Sequence, residues 1–352
     1  MSIRSAAPAL AAALLFGAST PLAKLLVGSI HPLLLAGLLY LGSGLGLGAL
    51  LLLRANRAGH RSGEEAMRIP RREWPWLAGA ILFGGVLGPA LLMAGLVRTS
   101  GAAASLLLNL EGVLTAVLAW VAFKENADRR IVIGMLAIVA GGVLLAWQPG
   151  GATFSGGALL IAAACLCWSI DNNLTRKISS NDAMLVACLK GGFAGVCNTL
   201  LALAAGAELP GWPRMAMSLL VGLLGYGISL TLFVVGLRTL GTARTGAYFS
   251  VAPLFGVLLS LAIWPELPGP LFWGAAALMA IGVWLHVRER HEHEHTHEVL
   301  EHTHRHRHDE HHQHAHDFPW NGDEPHVHPH RHEVLTHKHP HYPDIHHRHR
   351  HP

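Results

Sequence analysis

Two sets of residues in this chain could do chemistry, and they belong to different kinds of polypeptide. The first is a crowd of imidazoles: all 26 histidines except His31, His60 and His286 lie in residues 291–352. That stretch reads HEHEHTHE (His291, His293, His295, His297), then HTHRHRHDEHHQHAH (His302, His304, His306, His308, His311, His312, His314, His316). It continues with HVHPHRH (His326, His328, His330, His332), HKHPHY and HHRHRH. Neutral imidazole is a ligand for zinc, copper, nickel and cobalt, and interspersed Glu and Asp offset part of a bound cation's charge. Such binding weakens as the imidazoles protonate below about pH 6.5. A segment this polar has no core to bury and is expected to lack fixed structure. Its length and irregularity argue against an appended tag; a pH-responsive polycation is the rival reading.

The second set is sparse and sits within apolar sequence. Glu111 lies about ten residues into an apolar run, near the middle of a bilayer by helical rise. An ionisable group at that depth is costly, which makes it a candidate cation ligand or proton carrier. Asn109 is its neighbour, but two residues along a helix point roughly 200° apart, so the two need not share a site. Asp171, Asn172 and Asn173 form the most polar cluster in any apolar run, with Cys167, Asp171 and Thr175 on one helical stripe. A thiolate and a carboxylate so placed suit a borderline divalent metal, while an ordinary helix-end role suits them as well. Ser19-Thr20-Pro21 is a second polar interruption, where Pro21 removes a helical hydrogen bond and frees carbonyls toward a cavity. Lys190, at mid-depth, is expected to pair with Glu111 or Asp171, or to titrate during coupling; Lys24 is expected to snorkel to its helix end.

The elements that must hold these residues are membrane helices. The chain is 51% hydrophobic and 14% charged, with 39 glycines, far less charged than a soluble protein. Apolar runs long enough to cross a bilayer lie near 6–28, 32–53, 75–97, 101–123, 130–148, 156–176, 182–205, 215–237, 243–264 and 269–287. Ten spans with the N-terminus inside put sixteen Lys and Arg in cytoplasmic loops, against Arg98 and Arg214 outside. The first run is read as a span and not as a cleaved signal, because Pro21 and Lys24 interrupt its end. Cys165, Cys167, Cys188 and Cys197 all fall in apolar runs, so no disulfide framework is expected, and Cys188 and Cys197 are expected to be buried. Gly42, Gly44, Gly46, Gly48, Gly84 and Gly88 supply the small surfaces that membrane helices pack with. The pI near 9 reflects loop charges between spans and points to no nucleic acid.

The sequence also repeats. GLVRTSGAAASLLLNLEGVLTAVLAWVAFKE (95–125) aligns with GLRTLGTARTGAYFSVAPLFGVLLSLAIWPE (236–266) at an offset of 141, and LLFGASTPLAK (14–24) with LCWSIDNNLTR (166–176) at 152. Halves of five spans each enter the bilayer from opposite sides, the layout of an alternating-access carrier. The domains expected are 1–150 and 151–290, one five-helix half each, and the 291–352 tail. These segments, in this order, resemble the drug/metabolite transporter superfamily of EamA type, over roughly residues 6–288. Where that family often has Glu-Pro, this chain has Glu111-Gly112; Ala252-Pro253 keeps the proline in the second half. The resemblance implies a central cavity between the halves and export of metabolites, drugs or ions, and the histidine tail resembles the branch tied to nickel and cobalt resistance.

The expectation is thus an all-α inner-membrane protein with both termini cytoplasmic. It would export divalent ions, nickel and cobalt before zinc, in exchange for protons, since no GxxxxGK[ST] motif is present. No HExxH motif or nucleophile–base spacing points to an enzyme, and no resident cofactor is expected. The partners are lipid, metal ions and at most a second copy of the chain. Two rivals stand: an organic-metabolite exporter regulated by the tail, and a membrane-anchored metal buffer or sensor.

Overall fold

A computed structural model describes residues 3–58, 69–123, 129–148, 153–178, 181–240 and 248–287, together with the backbone of 292–297, 300–306, 326–332 and 335–340. The chain divides into two compact units, Met1–Glu289 and Arg290–Pro352.

The first unit is a helical membrane body. In lipid each backbone N–H and C=O needs an internal partner, and apolar runs of this length meet that need as helices. They are α1 (Ile3–Val27), α2 (Pro32–Ala58), α3 (Trp74–Ala80), α4 (Gly88–Val97), α5 (Gly101–Leu107), α6 (Asn109–Phe123) and α7 (Arg129–Ala146). Then follow α8 (Gly156–Arg176), α9 (Ala183–Ala204), α10 (Trp212–Gly222), α11 (Ser229–Leu240), α12 (Ala252–Ile263) and α13 (Pro270–Val287). A π-helical stretch, Ile81–Leu87, joins α3 to α4, and another, Leu223–Ile228, joins α10 to α11. Among the described residues, seven helical segments are long and apolar enough to cross a bilayer; Val132–Ala146, Ala252–Ile263 and Pro270–Leu285 are apolar but shorter. A two-residue ribbon, β1 (Trp147–Gln148) with β2 (Thr153–Phe154), stands between α7 and α8.

Local sequence explains the helix starts. Ser100 caps α5 by accepting from the Ala103 N–H, Ser155 caps α8 from Ala158, and Asp182 caps α9 from Met184 and Leu185. Pro75, Pro213 and Pro253 occupy first-turn positions, where no N–H is missed. Glycine sets the closest crossings. A Cβ on Gly44 of α2 would lie 2.4 Å from the Gly192 nitrogen of α9, and one on Gly191 would lie 2.6 Å from the Gly44 nitrogen. No side chain fits between these backbones, so the pair packs by direct contact. Elsewhere α1 packs on α11 and α12, α4 and α6 pack on α8, and α7 packs on α13. The outward faces carry Leu45, Leu52, Val121, Leu136, Leu200 and Leu258, each more than half exposed. On a soluble protein this would be an aggregating surface; here it is the face that meets lipid.

The run expected as one span over 101–123 has a single turn residue, Leu108, between α5 and α6, and Gly101–Leu118 remains one stretch long and apolar enough to cross a bilayer. Two expectations need adjusting. The stretch expected as a span over 243–264 holds α12 from Ala252, and residues 241–247 lie outside the described residues. Cys197 is exposed and Cys188 half-buried, while Cys165 is the buried thiol; a thiol is apolar enough to face lipid as readily as a core.

The second unit differs from its composition-based expectation. Its described backbone forms four strands: β3 (Glu292–His297) paired antiparallel with β6 (Leu335–Pro340), and β4 (Leu300–His306) with β5 (His326–His332). Composition argues against a buried core, and these ladders are defined by backbone pairing and two-residue alternation alone.

Candidate functional site

The polar residues of the membrane body converge along α8, which packs on α6 and on the π-helical stretch Ile81–Leu87. That stretch carries one extra residue in its turn, which leaves carbonyls unclaimed by the helix. Side chains from three other helices use them. The Gly84 carbonyl accepts from the Tyr40 hydroxyl (2.7 Å) and the Trp168 indole (2.9 Å), and Asn198 donates to the carbonyls of Gly85 and Val86 (3.2 and 3.3 Å). Gly84 also makes room for a carboxylate: a Cβ there would fall 1.8 Å from Asp171 Oδ2.

Asp171 is thus buried by design of its surroundings, and it is neutralised there. Lys190 Nζ of α9 lies 2.6 Å from each carboxylate oxygen, and Thr175 Oγ1 donates to Oδ1 at 2.8 Å. Both members of the pair are largely buried. Between the two partners expected for Lys190, the fold selects Asp171. An isolated charge at this depth would be expensive, and the pair plus the threonine bond meets the polar demand of both groups.

Glu111 stands in a different setting. It opens α6, and its Oε1 accepts from Asn172 Nδ2 at 2.9 Å; the same amide reaches Thr115 Oγ1 at 3.3 Å. Asn173 donates to the Thr115 carbonyl (3.4 Å) and the Ser169 carbonyl (2.8 Å), and Ser169 donates to the Glu111 carbonyl at 3.0 Å. These bonds lock α6 onto α8. Among the described residues, no basic side chain pairs with Glu111. Asn109 faces elsewhere, donating to the Leu106 carbonyl (2.9 Å) and to Met279 Sδ of α13 (3.9 Å), as the 200° separation requires.

The remaining nominated residues are spread out. Cys167 is half-buried, and Thr175 on its stripe is committed to Asp171. Thr20 is buried in α1, one residue before Pro21, which lies inside that helix. Lys24 donates to the Leu96 carbonyl, one of the unpaired carbonyls ending α4. Among the described residues no group of three or more His, Cys, Asp and Glu comes together to hold a metal ion. The tail histidines named above lie either in the backbone-described strands or, as with His291, His308, His311, His312, His314 and His316, outside the described residues.

Sequence reading missed Tyr40, Thr115, Trp168 and the role of Gly84. A second set it missed is aromatic: Phe16 stacks edge-on with Tyr226 (6.2 Å), Tyr226 lies 5.5 Å from Tyr40, and Phe249 sits between Phe16 (5.4 Å) and Phe233 (4.8 Å). Scattered aromatics in apolar runs look like ordinary lipid-facing or core residues, and nothing in their spacing announces that they meet.

Known proteins give this arrangement a setting. The chain is similar to an uncharacterized transporter of Methanothermobacter thermautotrophicus, 28% identical over 267 residues, covering 72% of this chain and 78% of that protein. It is also similar to the uncharacterized transporter YyaM of Bacillus subtilis, 24% identical over 188 residues, 49% of this chain and 60% of YyaM. A solved crystal structure described only as that of a protein shares the fold, with a TM-score of 0.57 at 22% identity over 81% of this chain and 96% of the other. The model of the EamA-like transporter family matches twice, over residues 5–147 and again over 155–288. This multi-pass membrane protein, a transporter and not an enzyme, belongs to the EamA-like transporter family.

Proposed function

We propose that this transporter exports divalent transition-metal ions, nickel and cobalt first and zinc next, from the cytoplasm in exchange for protons. The observation that carries the reading is Glu111: a carboxylate within a membrane helix, oriented by Asn172 and unpaired with any basic side chain among the described residues. Asp171, by contrast, is cancelled by Lys190. The site therefore presents one net negative charge, and a cation and a proton compete for it. Such competition is what couples export to a proton gradient. The histidine tail would gather or sense the ion before it enters the body.

The layout we propose is ten spans in two inverted five-helix halves, in the inner membrane, with both termini cytoplasmic and as a monomer or homodimer. The three shorter apolar helices found beside the seven long ones among the described residues support that count. Internal correspondence supports the halves. Shifting Ile81–Leu87 by 141 residues lands on 222–228, the position of the second π-helical stretch. At Gly84 a Cβ would meet Asp171; at Gly225, 141 residues on, it would meet Ser19 at 2.5 Å, and Ser19 lies 152 residues before Asp171. Each half lends its first helix to the other's π-helical stretch, and two such halves can rock about a shared midplane site.

A second reading has an observation in its favour. The aromatic group of Phe16, Tyr40, Tyr226, Phe233 and Phe249 suits a ring-bearing or apolar organic metabolite better than a bare ion. The test is nickel and cobalt accumulation in cells making the intact chain, Glu111→Gln, or a chain ending at Arg290. Export predicts lower accumulation with the intact chain, abolished in Glu111→Gln and partly lost on truncation. Unchanged or raised accumulation with correctly inserted protein would overturn metal export in favour of a metabolite carrier or a metal buffer.

A further inference from the structure

The strands of the second unit pair in a register that sorts their residues by chemistry. In the β3–β6 ladder His293 stands opposite His339 and His295 opposite His337. In the β4–β5 ladder His302 stands opposite His330, His304 opposite His328 and His306 opposite His326. Both ladders keep one register, since 293 and 339 sum to 632, as do 302 and 330. Alternation along a strand then puts all histidines of a ladder on one face. In the β4–β5 ladder the other face carries Glu301, Thr303, Arg305, Val327, Pro329 and Arg331. A slip of one residue would set His302 opposite Pro329 and His304 opposite Val327, and no pair would survive.

From this juxtaposition we infer that the tail is a metal-binding β-ladder, whose sites are cross-strand histidine pairs for nickel, zinc or a similar borderline divalent ion. The inference rests on the reading of the tail as a metal ligand and adds which histidines act together. His337 and His339, absent from the ligands nominated by sequence, become partners of His295 and His293. Residues directly opposite in an antiparallel ladder have Cβ atoms about 4.5–5.5 Å apart, and successive same-face positions are about 6.6 Å apart. Two opposed imidazoles can reach one ion at about 2.1 Å, and two successive pairs supply the four nitrogens that a tetrahedral or square-planar ion takes. A lone two-stranded ladder is marginal in water. Ligands drawn from both strands make metal binding and strand pairing the same event, so the ion closes the ladder.

The consequence is a dependence on register that a loose multi-donor tail lacks. The test uses the purified full-length chain in detergent, titrated with Ni(II) alone and followed by calorimetry and the Ni(II) absorption spectrum. One variant exchanges neighbours within β4 (Thr303→His, His304→Thr, Arg305→His, His306→Arg), moving two histidines to the other face without changing composition. A second adds the matching exchange in β5 (His326→Val, Val327→His, His328→Pro, Pro329→His), which restores opposed pairs at 303/329 and 305/327. The ladders predict that the number of tightly bound Ni(II) ions falls in the first variant, which keeps only the β3–β6 pairs and His302 opposite His330, and is regained in the second. Equal binding by all three chains would overturn the ladder while leaving a metal-binding tail and export untouched. No Ni(II) binding by the intact chain would overturn both the ladder and the tail's role in export.

Discussion

The two π-helical stretches use one backbone device for different ends. At Ile81–Leu87 the widened turn admits a carboxylate, Asp171, which brings Lys190 and Thr175 with it. At Leu223–Ile228 the same widening admits Ser19, whose hydroxyl is satisfied by its own helix at the Phe16 carbonyl (2.6 Å), and aromatic rings gather beside it. One site is ionic and internally cancelled; the other is small, neutral and ringed by Phe and Tyr. Two like stretches of backbone thus hold unlike chemical loads, and the charged one lies on the same helix, α8, as Asn172, which bonds Glu111, a carboxylate with no basic partner among the described residues.

That contrast can be broken most severely at Lys190. Lys190→Met strands the buried Asp171 carboxylate and is expected to cost about 3–5 kcal/mol, read as a large fall in thermal stability in detergent. Adding Asp171→Asn should recover most of the loss; failure to recover would mean that Lys190 supports the fold through packing instead of charge. Next comes Gly84→Ala, whose methyl meets a carboxylate held by two bonded partners. Overpacking of this kind costs about 1–3 kcal/mol, and the ionic side should show the upper end. Gly225→Ala meets the uncharged Ser19 side chain at 2.5 Å, with the Leu15 carbonyl in ordinary contact at 3.5 Å, so the same measurement should give the lower end of that range. Equal losses at Gly84 and Gly225 would erase the difference between the two stretches. The smallest stability change is expected for Glu111→Gln, within about 0.5 kcal/mol, because an amide oxygen still accepts from Asn172. Its effect should fall on transport alone, and a marked loss of thermal stability would recast Glu111 as a structural bond between α6 and α8.

Much of the body was legible in the sequence, since hydropathy is a local property and lipid leaves the backbone little choice but helix. Glu111 was legible for the same reason: one carboxylate in an apolar run stands out whatever it touches. Gly84 was not, because a glycine in a membrane helix reads as packing. The signal that could have found it was the repeat, which ties Gly84 to Gly225 at 141 and Asp171 to Ser19 at 152. The tail shows the opposite limit. Its histidines were plain from composition, yet composition carries no register, and His337 and His339 gain partners only through pairing with residues more than forty positions away.

The sequence by itself determined a polytopic helical membrane protein of EamA type and which residues could bear charge or bind metal. Spans, periodicity and residue chemistry are written locally, so no contact is needed to read them. Only the tertiary structure decided that Lys190 bonds Asp171 and not Glu111, that Tyr40 and Trp168 share the Gly84 carbonyl, and that five aromatic rings meet. Those outcomes depend on how closely helices distant in sequence approach one another. That distance is set by many small side chains acting together.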